Sequence, residues 1–132
     1  MPPVDPIQES PEDWLSRATG ALALAKQTKP DDAFWEDQCF LAQQAAERAL
    51  KAVHLRRNVT FRYTHDLEEL GKALENNGLT IPDLVKDAII LTRYAVETRY
   101  PGPVEPVTEE EYYEALRLAD AVVAWATQII VQ

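Results

Sequence analysis

The sequence has little with which to cross-link a fold or hold a cofactor. Cys39 is the only cysteine among 132 residues, so no internal disulfide can form. It falls within an apolar helical pattern, which favours a buried core thiol over a nucleophile or a metal ligand. The chain also contains neither CxxC pairs nor a Gly-rich phosphate loop. We therefore expect one domain with an ordinary hydrophobic core, no metal and no cofactor.

Long apolar runs and a signal peptide are also missing. No segment approaches the ~18 consecutive apolar residues that a membrane span requires. The first ten residues, MPPVDPIQES, are rich in proline and acids and have neither the positive region nor the apolar core of a signal peptide. We expect residues 1–10 to be a flexible segment, residues 11–131 to form the domain, and the protein to be cytoplasmic and away from membranes.

Positive charge is scarce. The chain has 13 lysines and arginines against 22 acidic residues, a net charge of -9. General electrostatic binding of nucleic acid needs clustered basic residues, so this balance argues against it, and RNA binding stays open. Five basic residues nevertheless lie close together in the sequence, and they are Arg48, Lys51, Arg56, Arg57 and Arg62. They form either a patch for an anionic ligand or acidic partner, or an ordinary solvated helix end.

Apolar residues recur at helical spacing through most of the chain, and no segment alternates like a strand. Caps and prolines divide this pattern into five helices. The predicted starts are Ser10, Asp31 or Asp32, Thr64 for a helix over residues 65–76, Pro82, and the capping box of Thr108 and Glu111. The fold class is therefore all-α, an up-down bundle of four to five helices.

The last predicted helix carries two neighbouring apolar stripes. The second stripe consists of Leu118, Val122, Trp125 and Ile129. So broad an apolar face suits a helix packed between neighbours or one at an interface between subunits. From this surface, centred on Val122 and Trp125, we expect a homodimer.

A polar row interrupts the apolar second helix. Steps of three and four residues place Gln44, Glu47 and Lys51 on one helical face. Such a row is either a solvated face with one ion pair or one wall of a polar cleft shared with other helices.

Three segments in a fixed order carry a family resemblance. They are AQQAAERALKA in the second helix, THDL at the start of the third, and YAVETRYP at the end of the fourth. Over residues 11–131 the chain resembles the HEPN domain family, the higher eukaryote and prokaryote nucleotide-binding domains. The resemblance implies a helical bundle like the substrate-binding domains of nucleotidyltransferases. It also implies a homodimer and a minimal nucleotidyltransferase partner in a bacterial toxin–antitoxin-like pair.

Many proteins of that family are metal-independent ribonucleases. Their signature is an arginine, four to six residues, and then a histidine, so that the histidine moves a proton and the arginine steadies the phosphate. Here YPGPVE follows Arg99, and no histidine occurs after His65. We expect no catalytic residue by this resemblance. A ribonuclease that uses His65 with Arg57, Arg62 or Arg99 is one alternative, and a purely structural adaptor is another.

The resemblance then implies a site for ATP or AMP. Lys51 and Arg99 would face phosphate with Arg93 nearby, and Tyr94 and Tyr100 would be available to stack on the base. Gln44 would contact a polar edge of the ligand. The candidate ligand-binding residues are Gln44, Glu47, Lys51, His65, Asp66, Arg93, Arg99 and Tyr100. The alternative is an internal polar network that only fixes packing.

Overall fold

The computed structural model of the protein describes residues 10–96 and 105–131. Within these ranges it is all-helical and has no strand, so the predicted fold class is confirmed. The helices are α1 (Pro11–Lys26), α2 (Trp35–Arg56), α3 (Leu67–Asn76), α4 (Asp83–Asp87), α5 (Arg93–Val96) and α6 (Glu109–Ile130). A 3-10 segment, Ala88–Thr92, joins α4 to α5, so the predicted fourth helix is a succession of three short pieces.

The core lies along α2, which packs against both α1 and α6. Small side chains make this close packing feasible, because they let neighbouring helix backbones approach. The fully buried alanines of α2 are Ala42, Ala45, Ala46, Ala49 and Ala52. Cys39 belongs to the same core, as predicted, and burial raises the pKa of its thiol to about 12.

Two predicted helix starts are wrong by a few residues. Helix α2 begins at Trp35 and not at Asp31 or Asp32, because a turn occupies residues 31 and 32 and Asp37 accepts a hydrogen bond from Phe34 N at 3.0 Å. The N-cap of α3 is Asp66, and Thr64 lies outside the helix.

Of the two predictions made for α6, the structure confirms the capping box and removes the basis of the homodimer argument. The capping box is confirmed, since Thr108 Oγ1 accepts from Glu111 N at 3.1 Å and Glu111 Oε1 accepts from Thr108 N at 3.0 Å. Val122 is fully buried within one chain, and Trp125 packs partly buried against the same core. This stripe therefore does not leave the open surface from which a homodimer was argued, and the homodimer stays a prediction.

None of the helices in residues 10–96 and 105–131 is long and apolar enough to cross a membrane.

The cap of α3 gives a test that separates two neighbouring residues. Asp66 Oδ1 accepts hydrogen bonds from Glu68 N at 2.9 Å and Glu69 N at 3.4 Å, whereas Thr64 accepts only from Asp66 N. We expect Asp66→Ala to lower the free energy of unfolding by about 1 kcal/mol, because helix amides lose their acceptor. Urea denaturation measures this change. Thr64→Ala is the matched control, and an equal or larger loss there would contradict the assignment.

Candidate functional site

A buried carboxylate lies at the centre of the polar row in α2. Glu47 is 4% exposed, and its two oxygens receive hydrogen bonds from three residues. Oε2 is 2.9 Å from Lys51 Nζ, and Oε1 is 2.7 Å from His65 Nδ1 and 3.1 Å from Gln43 Nε2. We call Gln43, Glu47, Lys51 and His65 the Glu47 cluster. It joins the middle of α2 to the residue before the cap of α3.

Gln43 is the member that the sequence prediction missed. It is fully buried, and its side-chain amide donates both to Glu47 and to the backbone carbonyl of His65 at 3.3 Å. Gln44, which was predicted, is half-buried and donates to Gln43 Oε1 at 2.9 Å. Through this bond Gln44 supports the cluster from its edge. The sequence did hold a signal for Gln43, since positions 43, 47 and 51 follow one another at steps of four.

Aromatic rings surround the ammonium of Lys51. Its Nζ lies 5.7 Å from the ring centres of Trp14 and Phe61 and 5.3 Å from that of Tyr63. These distances are within the range of cation–π attraction. With Glu47 on the remaining side, the Lys51 side chain is only 4% exposed. Its charge is directed to groups of its own chain and not to an open cleft.

The surroundings of Glu47 keep it ionised. Burial alone would raise the pKa of this carboxyl group, but hydrogen bonds from Lys51, Gln43 and His65, together with the charge of Lys51, outweigh burial and lower the pKa below its ordinary value. Near neutral pH the group is therefore a carboxylate, which can only accept hydrogen bonds.

The cluster reaches the surface at His65 and Tyr63. The side chain of His65 is 40% exposed, and Tyr63 is 83% exposed. Their rings meet edge to face with centres 5.5 Å apart. Nε2 of His65 makes no hydrogen bond with any residue in the described ranges. Tyr63 was not predicted, because nothing local in FRYTHDL distinguishes a ring above a buried ion pair from a surface tyrosine.

The other candidates on the described part of the chain lie apart from the cluster or have local roles. Asp66 is exposed and caps α3. Arg93 lies 3.7 Å from Glu111 Oε2 and packs over the ring of Tyr94. Tyr94 is buried, and burial raises the pKa of its hydroxyl to about 12. The expectation that Tyr94 could stack on a base is therefore wrong. Arg99 and Tyr100 lie outside the described residues.

The second histidine is enclosed in the core. His54 is fully buried, with Nδ1 2.9 Å from the carbonyl of Leu50 and its ring edge to face with Phe61. Burial lowers the pKa of His54, and the nearby charge of Lys51 lowers it further, against the opposing effect of the Leu50 hydrogen bond. Within the described structure Nε2 has no hydrogen-bond partner. His54 is therefore a neutral core residue.

A family model and one similar solved structure name the same family. A model described as the HEPN domain matches residues 11–130. A solved structure, TT1696 from Thermus thermophilus, is 34% identical with a TM-score of 0.77, covering 90% of this chain and 97% of that one. ST0689, described as an archaeal HEPN homologue, is 26% identical with a TM-score of 0.72, covering 92% and 98%. The search of curated proteins finds no match.

Burial of the Lys51 and Glu47 pair gives a stability test. Lys51→Ala leaves an ionised, buried Glu47 without its strongest partner, so we expect the free energy of unfolding to fall by about 3 kcal/mol in urea denaturation. The double variant Lys51→Ala/Glu47→Gln removes both charges and should recover part of this loss.

Lys72→Ala is the matched control, because Lys72 forms the same four-residue pairing with Glu68 on an exposed face. It should stay within about 0.5 kcal/mol of the wild type. A Lys51→Ala protein as stable as Lys72→Ala would show that the buried pair does not stabilise the fold.

Proposed function

Because this chain belongs to the HEPN domain family, we propose that it is a nucleotide-binding and partner-binding module that works with a minimal nucleotidyltransferase in a toxin–antitoxin-like pair. The observation that carries the nucleotide part is the pair of rings of Tyr63 and His65, which lie at the surface beside the buried Glu47 and Lys51. The partner part rests on the family resemblance.

An exposed ring fixed on one side suits a nucleobase. One contact of Tyr63 is inward, where its ring centre lies 5.3 Å from Lys51 Nζ, yet 83% of the residue remains open to solvent. Stacking on an aromatic ring contributes about 1 to 3 kcal/mol of binding free energy per base, and it tolerates any base. We place the base of ATP or AMP on Tyr63, with an edge towards His65.

The buried cluster changes the role proposed for Lys51. A phosphate would have to displace Glu47 or the rings of Trp14, Phe61 and Tyr63 to reach its ammonium. We propose that Lys51 acts by positioning Glu47 and Tyr63, and that Arg99, outside the described residues, supplies the phosphate contact. The base is therefore assigned to the chain between α2 and α3, and the phosphate contact is assigned to Arg99 alone.

The surroundings of Arg62 favour binding over strong ribonuclease activity. His54 is sealed in the core, and Nδ1 of His65 bonds Glu47, so Nε2 of His65 is the ring nitrogen left for proton transfer. Arg62, the nearest arginine in sequence, is held by Glu69 through contacts of 2.7 to 3.0 Å. The alternative of an Arg62 and His65 ribonuclease therefore lacks a free guanidinium, and we propose a module without strong RNA cleavage.

Tyr63 is the residue on which nucleotide binding is tested. Tyr63→Ala removes the stacking ring, so we expect affinity for ATP and AMP to fall about tenfold in isothermal titration calorimetry. Tyr113→Ala is the matched control, because Tyr113 is an exposed tyrosine of α6. Absence of binding by the wild type at millimolar nucleotide, or equal affinities for the wild type and Tyr63→Ala, would refute the proposed site.

The partner proposal has its own measurement. Light scattering of the purified chain at micromolar concentration should give twice the 14.9 kDa of one chain, as expected for a homodimer. Co-expression with the neighbouring reading frame should give a stable complex with a nucleotidyltransferase. A monomer that co-purifies with no such protein would contradict this part and leave nucleotide binding to its separate test.

A further inference from the structure

The contact between His65 and Glu47 determines which ring nitrogen of His65 carries the proton. Nδ1 lies 2.7 Å from Glu47 Oε1. Because the carboxylate can only accept, Nδ1 must be the N–H that donates to it. In a neutral imidazole the other nitrogen, Nε2, then carries a lone pair and is an acceptor.

The rest of the cluster holds this ring in one orientation. Gln43 Nε2 donates both to Glu47 Oε1 and to the carbonyl of His65 itself, which ties the backbone of His65 to its ring partner. Lys51 holds the other oxygen of Glu47 and is itself enclosed by aromatic rings. A flipped His65 ring would lose Glu47, so the position of Nε2 is set before any ligand arrives.

Nε2 of His65 is available where Nε2 of His54 is not. Both histidines direct Nδ1 to an oxygen acceptor, Glu47 for His65 and the Leu50 carbonyl for His54. His54 is fully buried, whereas 40% of the His65 side chain is exposed beside the open ring of Tyr63. In residues 10–96 and 105–131 no group donates a hydrogen bond to Nε2 of His65. The ring that carries this acceptor meets the ring of Tyr63, on which the base is placed.

We propose that Nε2 of His65 accepts a hydrogen bond from the base stacked on Tyr63 and so selects nucleotides whose base has an exocyclic amino group. This inference rests on the proposed nucleotide site. An adenine amino group donates to Nε2, whereas purine riboside has a C–H in place of that group and leaves Nε2 without a donor. The site therefore favours AMP over purine riboside 5′-monophosphate, which differs from AMP only in lacking the amino group.

The tautomer can be measured without any ligand. Long-range ¹⁵N NMR correlations of the imidazole rings distinguish a protonated nitrogen from a bare one, and His65→Gln assigns the signals of the two histidines. We expect the neutral His65 ring to carry its proton on Nδ1. A proton on Nε2 would overturn the inference, whether or not a nucleotide binds.

The isosteric variant Glu47→Gln is designed to invert the tautomer. The Lys51 ammonium should keep the amide oxygen, which turns the amide NH₂ towards His65 Nδ1 and moves the imidazole proton to Nε2. Gln43 keeps its bond to the His65 carbonyl but loses its bond to residue 47, because its NH₂ there meets another NH₂. The NMR spectrum should then show the proton of His65 on Nε2 and a bare Nδ1, and the preference for AMP should disappear. A folded variant with an unchanged His65 tautomer and an unchanged preference would count against this role of Glu47.

The binding measurement compares AMP with purine riboside 5′-monophosphate on the wild type by calorimetry. We expect AMP to bind about fivefold more tightly, the effect of one hydrogen bond at a half-exposed site. Equal affinities would overturn the selection by His65 and leave the proposed nucleotide site standing. Failure of both ligands to bind at millimolar concentration would overturn the nucleotide site and this inference together.

Discussion

The ion pair of Glu47 and Lys51 is the constraint around which this bundle is arranged. Two opposite charges on successive turns of α2 lie almost entirely out of water, and the desolvation penalty for such a pair is several kcal/mol for each ion. The structure offsets it with hydrogen bonds from Gln43 and His65 to the carboxylate and with three aromatic rings around the ammonium. Because those groups come from α1, α2 and the chain before α3, satisfying one pair of charges brings three segments of the fold together.

Structural and functional roles are therefore not alternatives for this cluster. The buried part, Gln43, Glu47 and Lys51, has the burial and the complete pairing expected of a packing network. His65, the outer member of the cluster, is 40% exposed beside the open ring of Tyr63 and is oriented by Gln43 and Glu47. A rigid support below an accessible edge is what a selective binding surface needs, because little order remains to be imposed when a ligand binds. The structural adaptor and the nucleotide-binding module share the same buried groups and differ only in what meets the exposed rings.

The sequence predicts the features that depend on neighbours along the chain. Helical periodicity identifies the long helices, and the local spacing of Thr108 and Glu111 identifies a capping box. The spacing of Glu47 and Lys51 places them on one helical face. Whether that face is exposed or buried depends on Trp14 and Tyr63, which come close to Lys51 only in the folded chain. For the same reason Gln43 was missed, since its value as a donor appears only when His65 lies beside it. Thr64 was mistaken for a cap because Thr64 and Asp66 have the same capping chemistry two residues apart.

The burial of His54 makes the stability of the fold depend on pH. In the unfolded chain its ring takes up a proton near pH 6.5, whereas burial beside Lys51 lowers its pKa in the folded state. Unfolding in mild acid therefore absorbs a proton. The stabilising contribution of the neutral ring is complete above about pH 6.5 and disappears as the pH falls through the lowered folded value. Glu47, whose pKa also falls on folding, loses its contribution only below its ordinary value of 4.5. Helix α2 thus contains two groups whose contribution to stability is lost in acid, Glu47 one turn before Lys51 and His54 one turn after it. As the pH falls, the contribution of His54 is lost first.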